Sequence, residues 1–245
     1  MHTFKLGRRA IKTDTRTLKM CDYLTPTLPP PPAAVDWSKG ITNFGMMEND
    51  ELGNCTICGC AHGEQIWTVN AYPHMSTISD ADVLKYYEKW CGYDPSDPST
   101  DQGGIELDVL NHWRKEGFAG RNILAFVDPD AKNLTEIRQS IALFGGCYIG
   151  MQVPNFIMQD IPEIWDVVAN DGGIDGGHCV YVCGYDDKTF TFISWGKIYK
   201  MTVPYWDKYV DEAHALLGKN WLNAQNIDPA GVNLTQLQDD LAAIK

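Results

Sequence analysis

Cys55 and His178 are the two residues whose types and surroundings best fit nucleophilic chemistry in this chain of 245 residues. Cys55 lies in the segment Asn49-Asp-Glu-Leu-Gly-Asn-Cys55-Thr-Ile-Cys58-Gly-Cys60-Ala-His62, where a Gly-Asn turn precedes a run that can continue as a helix. A thiol attacks as the thiolate. A helix N-terminus stabilises that anion through its free N–H groups and its macrodipole. His178 lies in Gly176-Gly-His178-Cys-Val-Tyr-Val-Cys-Gly184-Tyr185. It is expected to open a buried strand, with Val180 and Val182 alternating on one face. A histidine so placed can face a cleft and accept the thiol proton.

Other residues offer competing chemistry. Cys58 could be the nucleophile instead of Cys55. Cys55, Cys58 and His62 fall at i, i+3 and i+7, which puts them on one helical face, as three zinc ligands could be. Structural zinc usually draws ligand pairs from two knuckles, and the sequence has no second such pair, so no metal is expected. Asp94, Asp97 and Asp101 lack the glycine and terminal glutamate of a calcium loop and read as a solvated turn. Trp67, Trp90 and Trp113 read as core. With no leader of the secretory type at the N-terminus, the eight cysteines do not read as a disulfide framework.

The elements that would position these groups change character along the chain. Helices are expected at about 55–70, 79–90, 105–116 and 133–144, the second and last opened by Ser79 and by an Asn133-Leu-Thr-Glu136 capping box. Strands are expected at about 147–153, 178–185, 189–195 and 197–203. A helix is expected over 204–217, with proline in its first turn, and a short one after Asn233. Helices first and strands later imply an α+β chain with a helical lobe, a sheet lobe and a cleft between them. The expected boundaries are a basic arm and proline-rich linker at 1–35, a folded body at 36–217 (helical lobe about 36–120, β lobe about 121–217) and an extension at 218–245.

Over residues 36–203 the sequence resembles the papain-like cysteine peptidases. The resemblance rests on Asp36-Trp37-Ser-Lys-Gly40, on Leu-Gly-Asn-Cys55, on Gly103-Gly104 before a helix, on Gly177-His178 with Gly184-Tyr185, and on Ser194-Trp195-Gly196. The Cys-to-His separation of 123 residues is close to the ~130–150 of lysosomal-type enzymes. The resemblance implies a helical lobe packed on an antiparallel sheet or barrel, with the site between them. It makes Cys55 the nucleophile and His178 the base. Asn49, six residues before Cys55, stands where the family has a glutamine that donates to the oxyanion. In the Cys58 register that position is Leu52, which cannot donate, and the partner position of a disulfide from Cys55 is Asp101. Gly103, Gly104, Gly177 and Trp195 are the implied substrate-binding positions. The chain departs from the family at Thr56, where a tryptophan is usual, and at Ile193, where an asparagine orients the imidazole. Ser194, or a group from elsewhere in the chain, is the candidate replacement. The chain also resembles, more weakly, short papain-like proteins encoded by bacteriophages.

Composition bounds the rest. The hydrophobic content of 44% is that of a globular protein, and the net charge of −12 argues against nucleic acid as a partner. No apolar run approaches the ~20 residues of a membrane span. The polar, basic N-terminus is not a secretory signal, so the expected location is the cytoplasm or a phage particle. Residues 1–20 carry Lys5, Arg8, Arg9, Lys12, Arg16 and Lys19 against Asp14, about +5, which leaves about −17 elsewhere. That arm can dock on the acidic body or on a larger assembly, and the linker would let it occupy the cleft as an inhibitor. The expected activity is thiol-dependent hydrolysis of peptide or amide bonds, without a cofactor, on a peptide or protein substrate. The rival is a papain-fold structural or binding module, such as a phage particle component, with weak or no catalysis.

Overall fold

The computed structural model describes residues 4–26, 28–41, 43–72, 75, 78–218, 221–222 and 232–243. Of the C-terminal extension, 219–220, 223–231 and 244–245 lie outside the described residues. The α-helices are α1 (Cys55–Ala71), α2 (Asp80–Cys91), α3 (Glu106–Glu116), α4 (Leu134–Phe144), α5 (Asn155–Gln159), α6 (Val203–Tyr209) and α7 (Leu234–Ala243). The strands are β1 (Val35–Asp36), β2 (Ile123–Val127), β3 (Cys147–Pro154), β4 (Ile164–Trp165), β5 (Ile174–Tyr185), β6 (Thr189–Ser194), β7 (Lys197–Thr202) and β8 (Val210–Gly218).

The strands form one sheet in the order β2-β8-β3-β5-β6-β7-β4, with β1 added beside β5. Every pairing is antiparallel except that of β4 with β7. The sheet does not close, so of the expected sheet or barrel it is the open sheet that forms. Successive strand side chains point to opposite faces, and β3 and β5 use this to serve two cores. Tyr148, Cys179 and Tyr181 join α1, α2 and α3 in one core. Ile149, Val180 and Val182 join Trp165, Phe190 and Trp206 in the other. Helix α1 is buried on all sides from Cys55 to Thr68, which is why its sequence shows no polar stripe. It lies between the other helices and β5, and its N-terminus meets the sheet lobe.

Three expectations need correction. The helix expected over 204–217 ends at Tyr209, and 210–218 is strand β8. The run Asp211-Glu-Ala-His-Ala-Leu-Leu suits a helix by propensity. It sits instead as an inner strand paired with β2 and β3, and burial on both faces outweighs the weak local preference. His178 does not open its strand either: β5 begins at Ile174, and Gly176 and Gly177 already pair with Val153 and Gln152 of β3. The N-cap at Ser79 forms with a reciprocal Asp82 bond. Asn133 caps α4, but the Glu136 carboxylate takes the Asn133 side-chain amide and the Asp130 N–H in place of the cap residue's own N–H.

Candidate active site

Cys55 is the first residue of α1. The first bonds of that helix run from the Ile57 and Cys58 N–H groups to Asn54 O, so the Cys55 N–H precedes the ladder, as at any helix start. The sulfur is buried, and burial pushes its pKa up to about 12. The backbone N–H groups of Cys179 and Gly7 are aimed at it and act in the opposite direction. Cys179 is the residue after His178, so the sulfur lies against the histidine's own strand. Cys58 points elsewhere: its sulfur donates to Asn54 Oδ1 at 3.4 Å and to Met47 O at 3.8 Å. All eight cysteines are free, and Asp101 instead accepts from the Gly53 N–H and the Tyr87 hydroxyl.

His178 is fully buried and held at one nitrogen. Its Nε2 is 2.7 Å from Ser194 Oγ, while Nδ1 has no hydrogen-bond partner. Burial, with His62 second, lowers its pKa to about 3, so the ring is neutral. Trp195 stacks on it at 4.7 Å and 18°. The stack depends on an unusual turn. Trp195 and Gly196 are the two residues linking β6 and β7, where Ser194 pairs with Lys197, and both have positive φ, 46° and 70°. That is the conformation of the tight turns that suit a twisted hairpin. It is rare for a bulky residue, and here it turns the indole onto the imidazole. On the arm side, Phe4 stacks on Trp195 at 4.9 Å.

Asn49 is near Cys55 but engaged. Its Nδ2 donates to Asn54 Oδ1 at 2.9 Å and to Leu52 O at 3.4 Å, bracing the turn before α1.

Gly103, Gly104 and Gly177, the expected substrate-binding glycines, line a groove occupied by the N-terminal arm. Gly104 N donates to Gly7 O at 2.8 Å, Arg9 N to Gly104 O at 2.8 Å, and Arg8 N to Gly177 O at 2.9 Å. The arm thus runs parallel to the Gly104 segment and antiparallel to β5. The approach leaves no room for side chains: a Cβ on Gly103 would lie 1.9 Å from Gly7 O, and one on Gly7 would lie 2.0 Å from Gly53 O.

Charge fastens the arm along its length. Lys5 pairs with Asp101, Lys12 with Asp108 at 2.6 Å and Lys19 with Asp128 at 3.1 Å. Arg8, buried, meets Glu106 at 3.0 Å, Asp211 at 2.8 Å and Glu212 at 2.6 Å. Behind them His214 places Nδ1 2.6 Å from Asp128 and Nε2 3.2 Å from Glu212. Burial alone would lower the pKa of His214, but these two bonds outweigh it and raise it to about 10, so the ring is an imidazolium. Glu106, Glu212 and His214 are the one cluster of possible metal ligands among the described residues, and its two carboxylates meet the Arg8 guanidinium. Sequence reading missed these acids. The only signal was the opposed charge of arm and body.

No family model matches the sequence, and no curated protein is similar to it in sequence. Solved structures are similar in fold. Xylellain, a cysteine protease from Xylella fastidiosa, superposes with a TM-score of 0.68 at 14% identity, over 88% of this chain and 97% of that one. A Carica candamarcensis cysteine protease gives 0.52 at 15% identity, over 76% and 99%. The ragweed pollen cysteine protease Amb a 11, in its proform, gives 0.56 at 13%, over 79% and 69%. The fold of this chain is papain-like.

Proposed function

We propose that the chain is a thiol-dependent peptide hydrolase held latent by its own N-terminal arm. One observation carries the reading: the Cys55 sulfur, at a helix start, lies against the His178 strand, while Ser194 holds Nε2 of His178 and leaves Nδ1 without a partner. Nδ1 is the nitrogen available to take the thiol proton and return it to the leaving amine. Attack of the sulfur on a peptide carbonyl forms an acyl-enzyme and releases the amine. Water then splits the thioester. The Cys55 N–H is suited to hold the oxyanion. Asn49 would join it only by giving up its bond to Asn54.

The arm accounts for the burial of the thiol. With Gly7 and Arg8 seated in the groove, water and substrate are excluded and burial keeps the sulfur protonated. Lifting the arm hydrates the site and frees the backbone groups of Gly104 and Gly177 for a substrate chain. The same fold is found in a cysteine protease described in its proform.

The test is hydrolysis of a quenched fluorescent peptide library by the full chain and by Cys55→Ala and His178→Ala, with and without Gly7→Ala to unseat the arm. Turnover that appears with Gly7→Ala and vanishes with either site variant is the expected result. Turnover indifferent to Cys55→Ala, or none in any form, would overturn the reading.

A further inference from the structure

The arm's Arg8 fills a pocket with more structure than plugging a groove requires. Glu106 opens α3 two residues after the glycine pair, where the positive helix end favours a carboxylate. Asp211 and Glu212 are neighbours on β8, and neighbouring strand residues normally point to opposite faces. Here the pairing slips: Gly150 faces Glu212 and Met151 faces Val210, leaving Asp211 over. A slip of that kind re-aims a side chain, and both acids reach the same Nη2 of Arg8. On β3, Gly150 supplies the floor. A Cβ there would lie 2.1 Å from Arg8 Nε and 2.5 Å from Glu106 Oε1, so any other residue would close the pocket. Neither oxygen of the fully buried Glu106 carboxylate accepts a well-formed hydrogen bond, although Oε1 is 3.0 Å from Arg8 Nε. The carboxylate's cationic neighbours are the Arg8 guanidinium on one oxygen and the His214 ring, 3.8 Å away, on the other.

We infer that the pocket formed by Glu106, Gly150, Asp211 and Glu212 is a guanidinium-recognition subsite of the groove. Arg8 occupies it in the latent state, and an arginine side chain of a peptide substrate takes its place in the open one. Because Arg8 N bonds to Gly177 and the N–H of the preceding Gly7 meets the Cys55 sulfur, the subsite reads a residue adjacent to the backbone that lies over the nucleophile. A planar fork matches carboxylates on two sides. An ammonium offers fewer directed bonds, and a neutral isostere takes away the positive charge that faces Glu106, Asp211 and Glu212. The inference rests on the proposed hydrolase reading for its meaning, but arginine binding is measurable without catalysis.

The test uses the full chain carrying Cys55→Ala and Arg8→Ala, so that the pocket is vacant and nothing is turned over. A fluorescent peptide copying residues 4–12 is titrated by anisotropy against its twin with citrulline in place of the arginine at position 8. The expected result is binding at least about tenfold tighter for arginine, with the difference abolished by Glu212→Gln and reduced by Glu106→Gln. Equal affinity of the two peptides for a chain with a cooperative melting transition would overturn the inference. Arg8→Gln, which keeps a polar but uncharged group over Gly150, replaces Arg8→Ala if the latter does not fold. Arginine preference without turnover by the unseated chain would sink the hydrolase reading alone. Turnover without arginine preference would sink this inference alone.

Discussion

Arg8 donates its backbone N–H to the carbonyl of Gly177, the residue immediately before His178, at 2.9 Å. The arm is therefore tied to the strand that carries the proposed base, and whatever loosens the arm acts on the site directly.

Gly7→Ala should unseat the arm. The new methyl would meet the Gly53 carbonyl at 2.0 Å, and backbone on both sides cannot give way. Overpacking of this kind costs about 1–3 kcal/mol. Alkylation of Cys55, followed by mass spectrometry, should accelerate about five- to hundredfold by that estimate. An unchanged rate would mean that the arm does not gate the sulfur.

Ser194→Ala removes the one hydrogen bond of a buried imidazole. An unsatisfied buried group costs about 1–3 kcal/mol, and the ring also loses its orienting partner. Turnover by the unseated chain should fall about ten- to hundredfold, against complete loss in His178→Ala. Unaltered kinetics in Ser194→Ala would show that Trp195 alone holds the ring.

The sequence allowed much of this to be read. Cys55 was legible because a Gly-Asn turn and a helix start are local features. Ser194 could be named as a candidate only because Ser194-Trp195-Gly196 resembles a family motif. The glycines at 103, 104 and 177 were legible as points of close backbone approach, though not with the arm as the chain that approaches. Strand β8 was misread because its residues favour a helix locally and only its neighbours β2 and β3 make it a strand. The Arg8 pocket was illegible because its acids come from α3 and β8, far along the chain, and Asp211 turns toward Glu212 only through a slip in pairing that no local pattern announces.

Acid should open the groove. Burial pushes the Glu212 carboxyl up, but hydrogen bonds from His214 and Arg8 outweigh it and hold the group below its ordinary value of 4.5. A depressed carboxylate contributes stability that is complete above the unfolded value and is lost as pH falls through the folded one. Glu106, raised by burial and by Glu212, takes its proton earlier. Arg8 should therefore stay seated at neutral pH and be released below about pH 4.5. The rate at which Cys55 reacts with a disulfide reagent active in acid, followed from neutral pH to about pH 3, should rise across that window after correction for reagent reactivity. A flat profile would exclude control of the arm by Glu212.

His214 should give the opposite pH dependence. Its folded pKa, about 10, lies above the ordinary 6.5 because Asp128 and Glu212 accept from both ring nitrogens. Its contribution is complete below about pH 6.5 and is lost as pH rises through about 10. Asp128→Asn removes one carboxylate from a buried imidazolium, which costs about 3 kcal/mol while the ring is charged. Urea unfolding at about pH 6 should show that loss, and unfolding above about pH 10 should show little, because the ring is then neutral in both proteins. Equal destabilisation at the two pH values would mean that the Asp128 carboxylate acts through its ion pair with Lys19, and not through the charge on His214.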